Sequence, residues 1–422
     1  MEKRWKFNKK CEKGIIKSVE KRAMTVKATM GMLHKQLNPD DNRSVIPLGH
    51  GDPSPFKCFH PPVAAVNAIV DALRSTRFNG YRYPTDFPSA KKAVAEYISR
   101  DLPYRLSESD VCITVGCNQA ILATISSLSS PPGSNILLPM PTYPTYDACS
   151  AVSGVEVRHY NLLPTKEWEV DLHSVEALAD DNTVAIVIIN PGNPCGSVYT
   201  HQHLENVAKM AEKLGLLVIA DEVYEHMTFG DTPFVRMGTF ALKAPVLTIG
   251  SISKRWLVPG WRVGWLVTTD PNGILQNSEL MERIQAFLDL ASNPTTFIQG
   301  ALPEILEKTK DEFFSNANNI LRQDADIIYE KLEKKIPCIS CPHKPQGSMF
   351  VMVKLDVSLL DDIEDDTEFC LKIAKEEKVM ILPGSTLGMK NWLRITFALE
   401  PLVLQEGLER IEGFCKRHSK KV

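Results

Sequence analysis

Short apolar segments alternate with helical segments along the middle of the chain, and this alternation most strongly constrains the fold. Runs rich in β-branched residues, such as VCITV (111–115), VAIVIINP (184–191), LLVIADEVY (216–224) and PVLTIGS (245–251), are typical of buried strands. Between the second and third runs lies HLENVAKMAEKLG (203–215), whose apolar residues recur at helical spacing. Strand, helix and strand in this order predict a mostly parallel sheet with helices on both faces.

The pattern changes in the last third of the chain, where long charged helical segments replace the apolar strands. A hairpin-like segment, GSMFVMVKLD (347–356), and a final helical segment, LQEGLERIEGFCKRH (404–418), follow there. A chain of 422 residues is long enough for two or three domains. We predict an N-terminal arm with part of a small domain in residues 1–75, a large domain in 76–310, and a small α+β domain in 311–422.

Composition argues against several classes of function. The net charge of −3 does not favour a surface for nucleic acid or for an anionic membrane. The ten cysteines are scattered, and the lone CxxC of Cys338 and Cys341 has no second pair, so we predict no metal site. Without a recognisable signal peptide or an apolar run of about 20 residues, we expect a cytoplasmic protein with reduced thiols.

Glycine and polar residues follow the predicted strands at the ends where parallel sheets bind ligands. Gly116 begins GCNQA (116–120), a strand-to-helix turn at which a helix N-terminus can receive an anion. NPGNPCG (190–196) ends another strand; it is either a simple turn or a rigid turn that aims an amide side chain. Asp221 directly follows LLVIA (216–220), where a carboxylate either caps a helix or needs a cationic or hydrogen-bond-donor partner.

Lys254 follows the apolar segment VLTIGSIS (246–253) and is therefore expected at a strand end. A buried lysine is costly unless its pKa falls, and a lysine with a lowered pKa is a nucleophile toward aldehydes. Ser251 and Arg262 lie on either side of it, and both side chains suit a phosphate. Together with Asp221, which could pair with a pyridinium nitrogen, these residues indicate pyridoxal phosphate as the cofactor.

The motifs resemble those of the fold-type-I aminotransferases, which use pyridoxal 5′-phosphate. The shared patterns are Ser-x-x-Lys with Arg eight residues beyond the Lys, N-P-x-N-P-x-G and D-E-x-Y. A closer likeness, to the plant branch of the tyrosine aminotransferases, is carried by PLGHGDPS, NILLPMPTYPTYD, SKRWLVPGWRVGW and NWLRIT. That branch also includes cystine lyases and other carbon–sulfur lyases. The resemblance implies an α/β fold, with a mostly parallel seven-stranded sheet in the large domain and a smaller α+β domain.

The resemblance also implies a role for each matching residue. Lys254 would hold the cofactor covalently and then move the proton between substrate and cofactor, and Asp221 would keep the pyridine nitrogen protonated. Tyr224 and Asn193 would hydrogen-bond the phenolic oxygen of the cofactor. The other implied contacts are stacking by Tyr143, phosphate binding by Gly116, Cys117, Asn118, Ser251 and Arg262, and binding of the substrate carboxylate by Gly51, Asn193 and Arg394.

A homodimer is implied as well, because Tyr81 would reach the cofactor phosphate of the neighbouring subunit. The segment that contains it, NGYRYPTDFPSA (79–90), departs from its relatives: Pro84 is displaced and a usual glycine is absent, which leaves substrate preference open. The Asn193–Pro194 peptide bond is expected to be cis. Arg255 resembles the aminotransferase members of the branch, since many of the lyases have glycine at that position.

We therefore expect a transaminase that moves the α-amino group of an aromatic amino acid, such as tyrosine, to a 2-oxo acid such as 2-oxoglutarate. The alternative is a carbon–sulfur lyase acting on cystine or an S-alkyl-cysteine, because the same lysine, aspartate and arginine serve both reactions. A non-catalytic binding protein is disfavoured because Lys254 and Asp221 are both present. A nucleotide-dependent dehydrogenase is disfavoured because the Gly116 turn lacks G-x-G-x-x-G.

Overall fold

A computed structural model describes residues 26–81, 87–129, 132–290 and 293–420. Its strands form two sheets, one of eight strands and one of four. Helices pack against both sheets, so the chain has the layered α/β organisation that the alternation predicts.

The large sheet is mostly parallel, as predicted. Its strands are β1 (Val111–Thr114), β2 (Asn135–Met140), β3 (Glu156–Leu163), β4 (Glu169–Val170), β5 (Thr183–Ile189), β6 (Leu217–Asp221), β7 (Val246–Ser251) and β8 (Gly264–Thr269). They lie in the order β1-β8-β7-β6-β5-β2-β3-β4, and only β8 and β4 run antiparallel to their neighbours. The expected count of seven strands is exceeded by β4, a two-residue strand at the sheet edge that is too short to give a sequence pattern.

Both faces of the large sheet are buried, which explains the continuous apolar runs. Val187 and Ile189 of β5 contribute to a core on one face, whereas Ile186 and Ile188 contribute to a core on the other. The α-helices of the described residues are α1 (Val26–His34), α2 (Val63–Arg74), α3 (Pro88–Ser99), α4 (Cys117–Ser127), α5 (Thr145–Ser153), α6 (Leu172–Leu178), α7 (His201–Leu214), α8 (Leu280–Leu290), α9 (Thr296–Lys308), α10 (Asp311–Lys335), α11 (Asp366–Glu377) and α12 (Pro401–Arg417).

Local sequence sets the ends of α7, the helix between β5 and β6. The side chain of Thr200 accepts a hydrogen bond from the backbone N–H of His203 and caps the first turn. Gly215 ends the helix in the left-handed conformation, with φ of 67°, which glycine adopts readily. The short connection then returns the chain to the sheet, so that the carboxyl ends of β5 and β6 lie side by side.

The second sheet is small and antiparallel. It contains β9 (Ile339–Ser340), β10 (Phe350–Leu355), β11 (Leu382–Pro383) and β12 (Trp392–Thr396), in the order β11-β12-β10-β9. Part of the N-terminal region packs with it, because Ile46 pairs with Val379, and Ile46 and Leu48 share its core. The domain boundaries at residues 75 and 310 stay a prediction.

Two further observations concern membranes and metals. Across the described ranges, no helix combines the length and apolar character needed to cross a membrane. The same ranges contain no group of three or more His, Cys, Asp or Glu residues placed to hold a metal ion. Cys338 and Cys341 are both buried in the core beside the small sheet.

Candidate active site

A cavity of about 630 Å³ opens at the carboxyl edge of the large sheet. The ends of β5, β6 and β7 contribute Ile189, Asp221 and Ser251 to its wall, and the small sheet contributes Phe350 and Arg394. Both sheets therefore build one pocket, at the edge where ligands of open parallel sheets bind.

Most of the predicted site residues line this cavity, although they come from distant parts of the sequence. They are Gly51, Cys117, Asn118, Tyr143, Asn193, Asp221, Tyr224, Ser251, Lys254, Arg262 and Arg394. Gly116 lies just behind the wall with φ of 70°, and a Cβ atom there would come 2.5 Å from Nη2 of Arg262. A glycine is thus needed for the guanidinium to pack against this turn. Tyr81 is fully exposed and lies outside the cavity wall.

Lys254 presents its amine to the cavity. It is half-buried, and its Nζ donates a hydrogen bond to the carbonyl oxygen of Gly51. Burial lowers the pKa of Lys254 to about 8; Asp52 opposes this shift, and Arg394 adds to it. A substantial fraction of the amine is therefore neutral near pH 8, which is the form that attacks an aldehyde.

Asp221 is a buried carboxylate without a cationic partner among the described residues. Its Oδ2 accepts a hydrogen bond from the hydroxyl of Tyr146 at 3.0 Å, and its Oδ1 accepts one from the N–H of Val223 at 3.3 Å. Burial raises the pKa of Asp221 to about 6, and these two hydrogen bonds oppose the rise. A cation entering the cavity would favour the ionised form of this group.

Arg394 is a buried cation that also lacks a carboxylate partner in the described chain. It projects from β12, Nη2 donates to the carbonyl of Gly49 at 2.9 Å, and Nη1 donates to Oδ1 of Asn193 at 3.3 Å. Its guanidinium lies 4.3 Å from the ring centroid of Phe350. Burial lowers the pKa of Arg394 to about 10, and Nε has no hydrogen-bond partner among the described residues. An anion is therefore expected beside it.

The opposite end of the cavity is suited to a phosphate. Arg262 lies against the first turn of α4, where its Nη2 donates to the carbonyl of Val115 at 3.3 Å. The free N–H groups at the start of α4 and the hydroxyl of Ser251 lie at the same end. Tyr143 contacts the start of α4, with its hydroxyl 3.4 Å from Oδ1 of Asn118.

The Asn193 turn has the geometry that was predicted. The Asn193–Pro194 peptide bond is cis, as are Asn190–Pro191 and Met140–Pro141. The amide of Asn193 faces the cavity and contacts Arg394. Tyr224 is buried beside it, and burial raises the pKa of its hydroxyl well above the usual value.

Together these groups fit pyridoxal 5′-phosphate. An anion site at α4 suits its phosphate, the amine of Lys254 suits its aldehyde, and the unpaired Asp221 suits a protonated ring nitrogen. Arg394, which has no carboxylate partner among the described residues and an unpartnered Nε, suits the carboxylate of a substrate.

Three parts of the neighbourhood differ from expectation. Tyr146 was not among the predicted site residues. Its position three residues after Tyr143 was the available signal, because the first turn of α5 brings the Tyr146 hydroxyl to Asp221. The wall formed by α1 was missed because no motif marks it. Arg255 does not line the cavity; its guanidinium lies 4.2 Å from the ring of Phe314 and donates to the hydroxyl of Tyr97. The preference for an aminotransferase that Arg255 suggests from the sequence stays a prediction.

Known proteins resemble this chain over nearly its whole length. The family model "Aminotransferase class I and II" matches residues 43–411. Nicotianamine aminotransferase 1 of Oryza sativa subsp. japonica is 53% identical over 398 residues, which are 94% of this chain and 80% of that protein. An S-alkyl-thiohydroximate lyase of Arabidopsis thaliana is 48% identical over 417 residues, which are 99% of this chain and 89% of that protein.

A solved structure has the same fold. The crystal structure of tyrosine aminotransferase from Leishmania infantum superposes with a TM-score of 0.87 at 32% sequence identity, covering 93% of this chain and 96% of that one. The matches in sequence and in structure therefore agree with each other and with the site. The chain belongs to the class I and II aminotransferases, a family of enzymes that use pyridoxal 5′-phosphate.

Proposed function

We propose that this enzyme transfers the α-amino group of an aromatic amino acid, such as tyrosine, to a 2-oxo acid such as 2-oxoglutarate. The observation that carries the proposal is one cavity lined by Lys254, Asp221 and the unpaired Arg394. Apolar side chains of Phe350 and Met380 line the same cavity and suit an aromatic side chain. The 32% identity to a tyrosine aminotransferase is consistent with this choice.

The residues divide the work between binding and proton transfer. When bound, the cofactor supplies an electron sink for the carbanion left after loss of the α-proton. Arg394 binds the α-carboxylate in bidentate fashion and orients the Cα–H bond toward Lys254. Nζ of Lys254 would hold the cofactor between turnovers and, once released, would accept the proton from Cα. Asp221 would keep the ring nitrogen protonated.

The remaining residues position the cofactor. Tyr224 and Asn193 would donate hydrogen bonds to its phenolic oxygen, and Tyr143 would stack on its ring. The Gly116 turn, the N–H groups of Cys117 and Asn118, Ser251 and Arg262 would hold its phosphate. The backbone of Gly51 would approach the substrate carboxylate; a glycine also fits here because an added Cβ would lie 2.8 Å from the Phe350 ring.

Removing the hydroxyl of Tyr146 should make cofactor binding more sensitive to acid. Asp221 must be ionised to bind the cofactor, so affinity falls as the pH drops through its pKa of about 6 in the free protein. Tyr146→Phe removes a donor that lowers this pKa, so we expect the fall to begin at higher pH and kcat/KM to drop about tenfold. Cofactor affinity, titrated from pH 5 to 8 in both proteins, measures the shift.

Tyr160→Phe is the matched control for that comparison. Tyr160 is equally buried in the large sheet, but its hydroxyl donates to the carbonyl of Val187 at 2.7 Å and not to Asp221. Its loss should lower stability and leave the pH dependence of cofactor binding unchanged. Identical pH profiles for wild type and Tyr146→Phe would show that Tyr146 does not tune Asp221.

A carbon–sulfur lyase is the second candidate, favoured by the 48% identity to an S-alkyl-thiohydroximate lyase. Binding by Arg394 and removal of the α-proton by Lys254 serve this reaction equally well. The outcomes differ afterwards, because a lyase expels a thiolate from the β-carbon whereas a transaminase retains the carbon skeleton.

Product analysis separates the two functions. The purified enzyme, loaded with pyridoxal phosphate, is given tyrosine with 2-oxoglutarate in one reaction and cystine in another. We expect glutamate from the first and little pyruvate or ammonia from the second. Pyruvate and ammonia from cystine, without glutamate from tyrosine, would identify a lyase instead.

We further propose a cytoplasmic homodimer in which Tyr81 completes the phosphate site of the partner subunit. Tyr81 is fully exposed and outside its own cavity, and α2 nearby exposes the apolar side chains of Val63, Val66 and Leu73. An interface would cover such side chains. The predicted displacement of Pro84 lies outside the described residues.

Hybrid dimers test this arrangement. Lys254→Ala and Tyr81→Ala subunits, carrying different affinity tags, are co-expressed, and the mixed dimer is isolated. One of its two sites then has an intact lysine from one subunit and an intact tyrosine from the other, so we expect about half of wild-type activity. The control hybrid of Lys254→Ala with Asp221→Ala has a defect in each site and should stay inactive. If the hybrid of Lys254→Ala with Tyr81→Ala is no more active than either single-variant homodimer, the shared site is disproved.

A further inference from the structure

The part of the cavity that the proposed cofactor and α-carboxylate contacts leave unused is built by the N-terminal region. Lys27, Met30 and His34 of α1 line it, together with His50 from the segment that follows. Because α1 ends before residue 43, where the family match begins, its part of this wall lies outside the matched residues, whereas His50 lies inside them.

Three of these four side chains can donate a hydrogen bond to an anion: Lys27, His34 and His50. His50 lies within electrostatic reach of both His34 and Arg394. Burial lowers the pKa of His50, Arg394 and His34 add to that effect, and Asp52 opposes it. The lowered pKa favours a neutral His50, which still donates a hydrogen bond, so Lys27 supplies the positive charge on α1 and the histidines supply further donors. Of the acidic residues in the described chain, Asp221 is the one that lines the cavity.

A dicarboxylic substrate needs such a second positive region. Arg394 binds one carboxylate in the proposed function, and the other arginine in the described cavity wall, Arg262, lies at the phosphate end. A second carboxylate on the same substrate would therefore have no arginine partner in the described wall, at an end of the cavity where Lys27, His34 and His50 are exposed. The groups of α1 and His50 offer that partner without a third arginine.

We infer that Lys27, His34 and His50 form a subsite for the distal carboxylate of a dicarboxylic 2-oxo acid such as 2-oxoglutarate. This inference rests on the proposed function and names the residues that recognise the amino acceptor. The adjacent Met30 and Met380 are apolar and accept the side chain of the aromatic donor when the acceptor is absent. One cavity thus serves both substrates of the transaminase, with polar donors and apolar side chains in the same wall.

Two unreactive acids of equal length test the subsite by binding to the cofactor-loaded enzyme. Glutarate carries a carboxylate at each end, whereas pentanoate has a methyl group at one end, so their affinities differ by the distal contact. In Lys27→Met we expect calorimetric titration to show glutarate affinity about tenfold weaker, and pentanoate affinity changed less than about twofold. His34→Gln and His50→Gln should act in the same direction, and Lys27→Arg should retain most of the glutarate affinity.

Lys35→Met is the matched control, since Lys35 directly follows α1, is exposed and does not line the cavity. It should bind both acids as the wild type does. Equal weakening of glutarate and pentanoate in Lys27→Met, or no change in either, would overturn the subsite.

The binding experiment fails separately from the proposed function. If product analysis identifies a lyase, but Lys27→Met still weakens glutarate binding, the transaminase proposal is refuted and the anion subsite is retained. The opposite result is also distinguishable. If the enzyme forms glutamate from tyrosine, but Lys27→Met leaves the ratio of the KM for 2-oxoglutarate to the KM for pyruvate unchanged, the transaminase is retained and the subsite is refuted.

Discussion

Lys254→Ala should abolish turnover while the protein stays folded. Lys254 lies just beyond the carboxyl end of β7 and lines the cavity beside Asp221 and Arg394. Among the described residues, no other lysine that follows a strand of the large sheet lines this cavity. Its amine has two proposed tasks, holding the cofactor and accepting the α-proton, and alanine performs neither. Acid–base catalysis alone contributes about 10²–10⁴-fold, so we expect kcat to fall by roughly 10⁴-fold or more.

The measurement is glutamate formation from tyrosine and 2-oxoglutarate at saturating cofactor, accompanied by thermal unfolding. Lys254 is half-buried and forms one hydrogen bond with the carbonyl of Gly51, so its loss should change the melting temperature little. Lys243→Ala is the control, because Lys243 precedes the opposite end of β7 and is remote from the cavity. Residual activity of Lys254→Ala within about a hundredfold of wild type would contradict the proposed chemistry.

Arg236→Met should strongly destabilise the protein. The Arg236 side chain is only 1% exposed and pairs with Glu222 at 2.8 Å, with Glu225 at 2.5 Å and with Asp101 at 3.0 Å. Glu222 and Glu225 are just as buried, so methionine would leave two carboxylates without their cation. Removing one member of a buried ion pair costs about 3–5 kcal/mol, and we expect the free energy of unfolding to fall by this amount.

The loss of stability in Arg236→Met should depend on pH. Burial raises the pKa of Glu222 to about 7, and Arg236 opposes the rise, so the pKa climbs further when the guanidinium is removed. The folded variant then binds more protons than the unfolded chain between the ordinary pKa near 4.5 and the raised value. Its stability therefore falls as the pH rises through that interval, and the gap from wild type should be larger at pH 8 than at pH 6.

Urea unfolding at the two pH values measures this gap. Lys308→Met serves as the control, because Lys308 pairs with Glu304 on an exposed surface of α9 and should matter little at either pH. Wild-type stability in Arg236→Met, or a smaller gap at pH 8 than at pH 6, would show that the buried cluster does not depend on this cation. Because Glu222 directly follows Asp221, such a cluster also bears on the position of the carboxylate that we propose to pair with the cofactor.

The sequence predicted those parts of the site that depend on strand ends. Asp221, Ser251 and Lys254 each follow an apolar run, and parallel strands bring their carboxyl ends to a common edge. Arg394 is different, since it lies 140 residues beyond Lys254 on another sheet, and only the family resemblance related the two.

The residues that sequence reasoning missed act through contacts that no spacing reveals. Arg236 contacts Glu222 because the loop after β6 returns to the end of that strand. Nothing in the local sequence around either residue indicates that the two form a pair. The α1 wall reaches the cavity by packing against the small sheet, with Met30 and Leu33 in its core. Local patterns describe strands and helices, whereas these contacts arise from how separate elements pack.

The most direct test of the site is to find which lysine holds the cofactor. The enzyme loaded with pyridoxal phosphate is treated with borohydride, which makes the link to the lysine permanent, and its peptides are analysed by mass spectrometry. We predict a single modified peptide, with the cofactor on Lys254. Modification at another lysine, or none in an enzyme that turns over tyrosine, would contradict the assignment of this cavity as the active site.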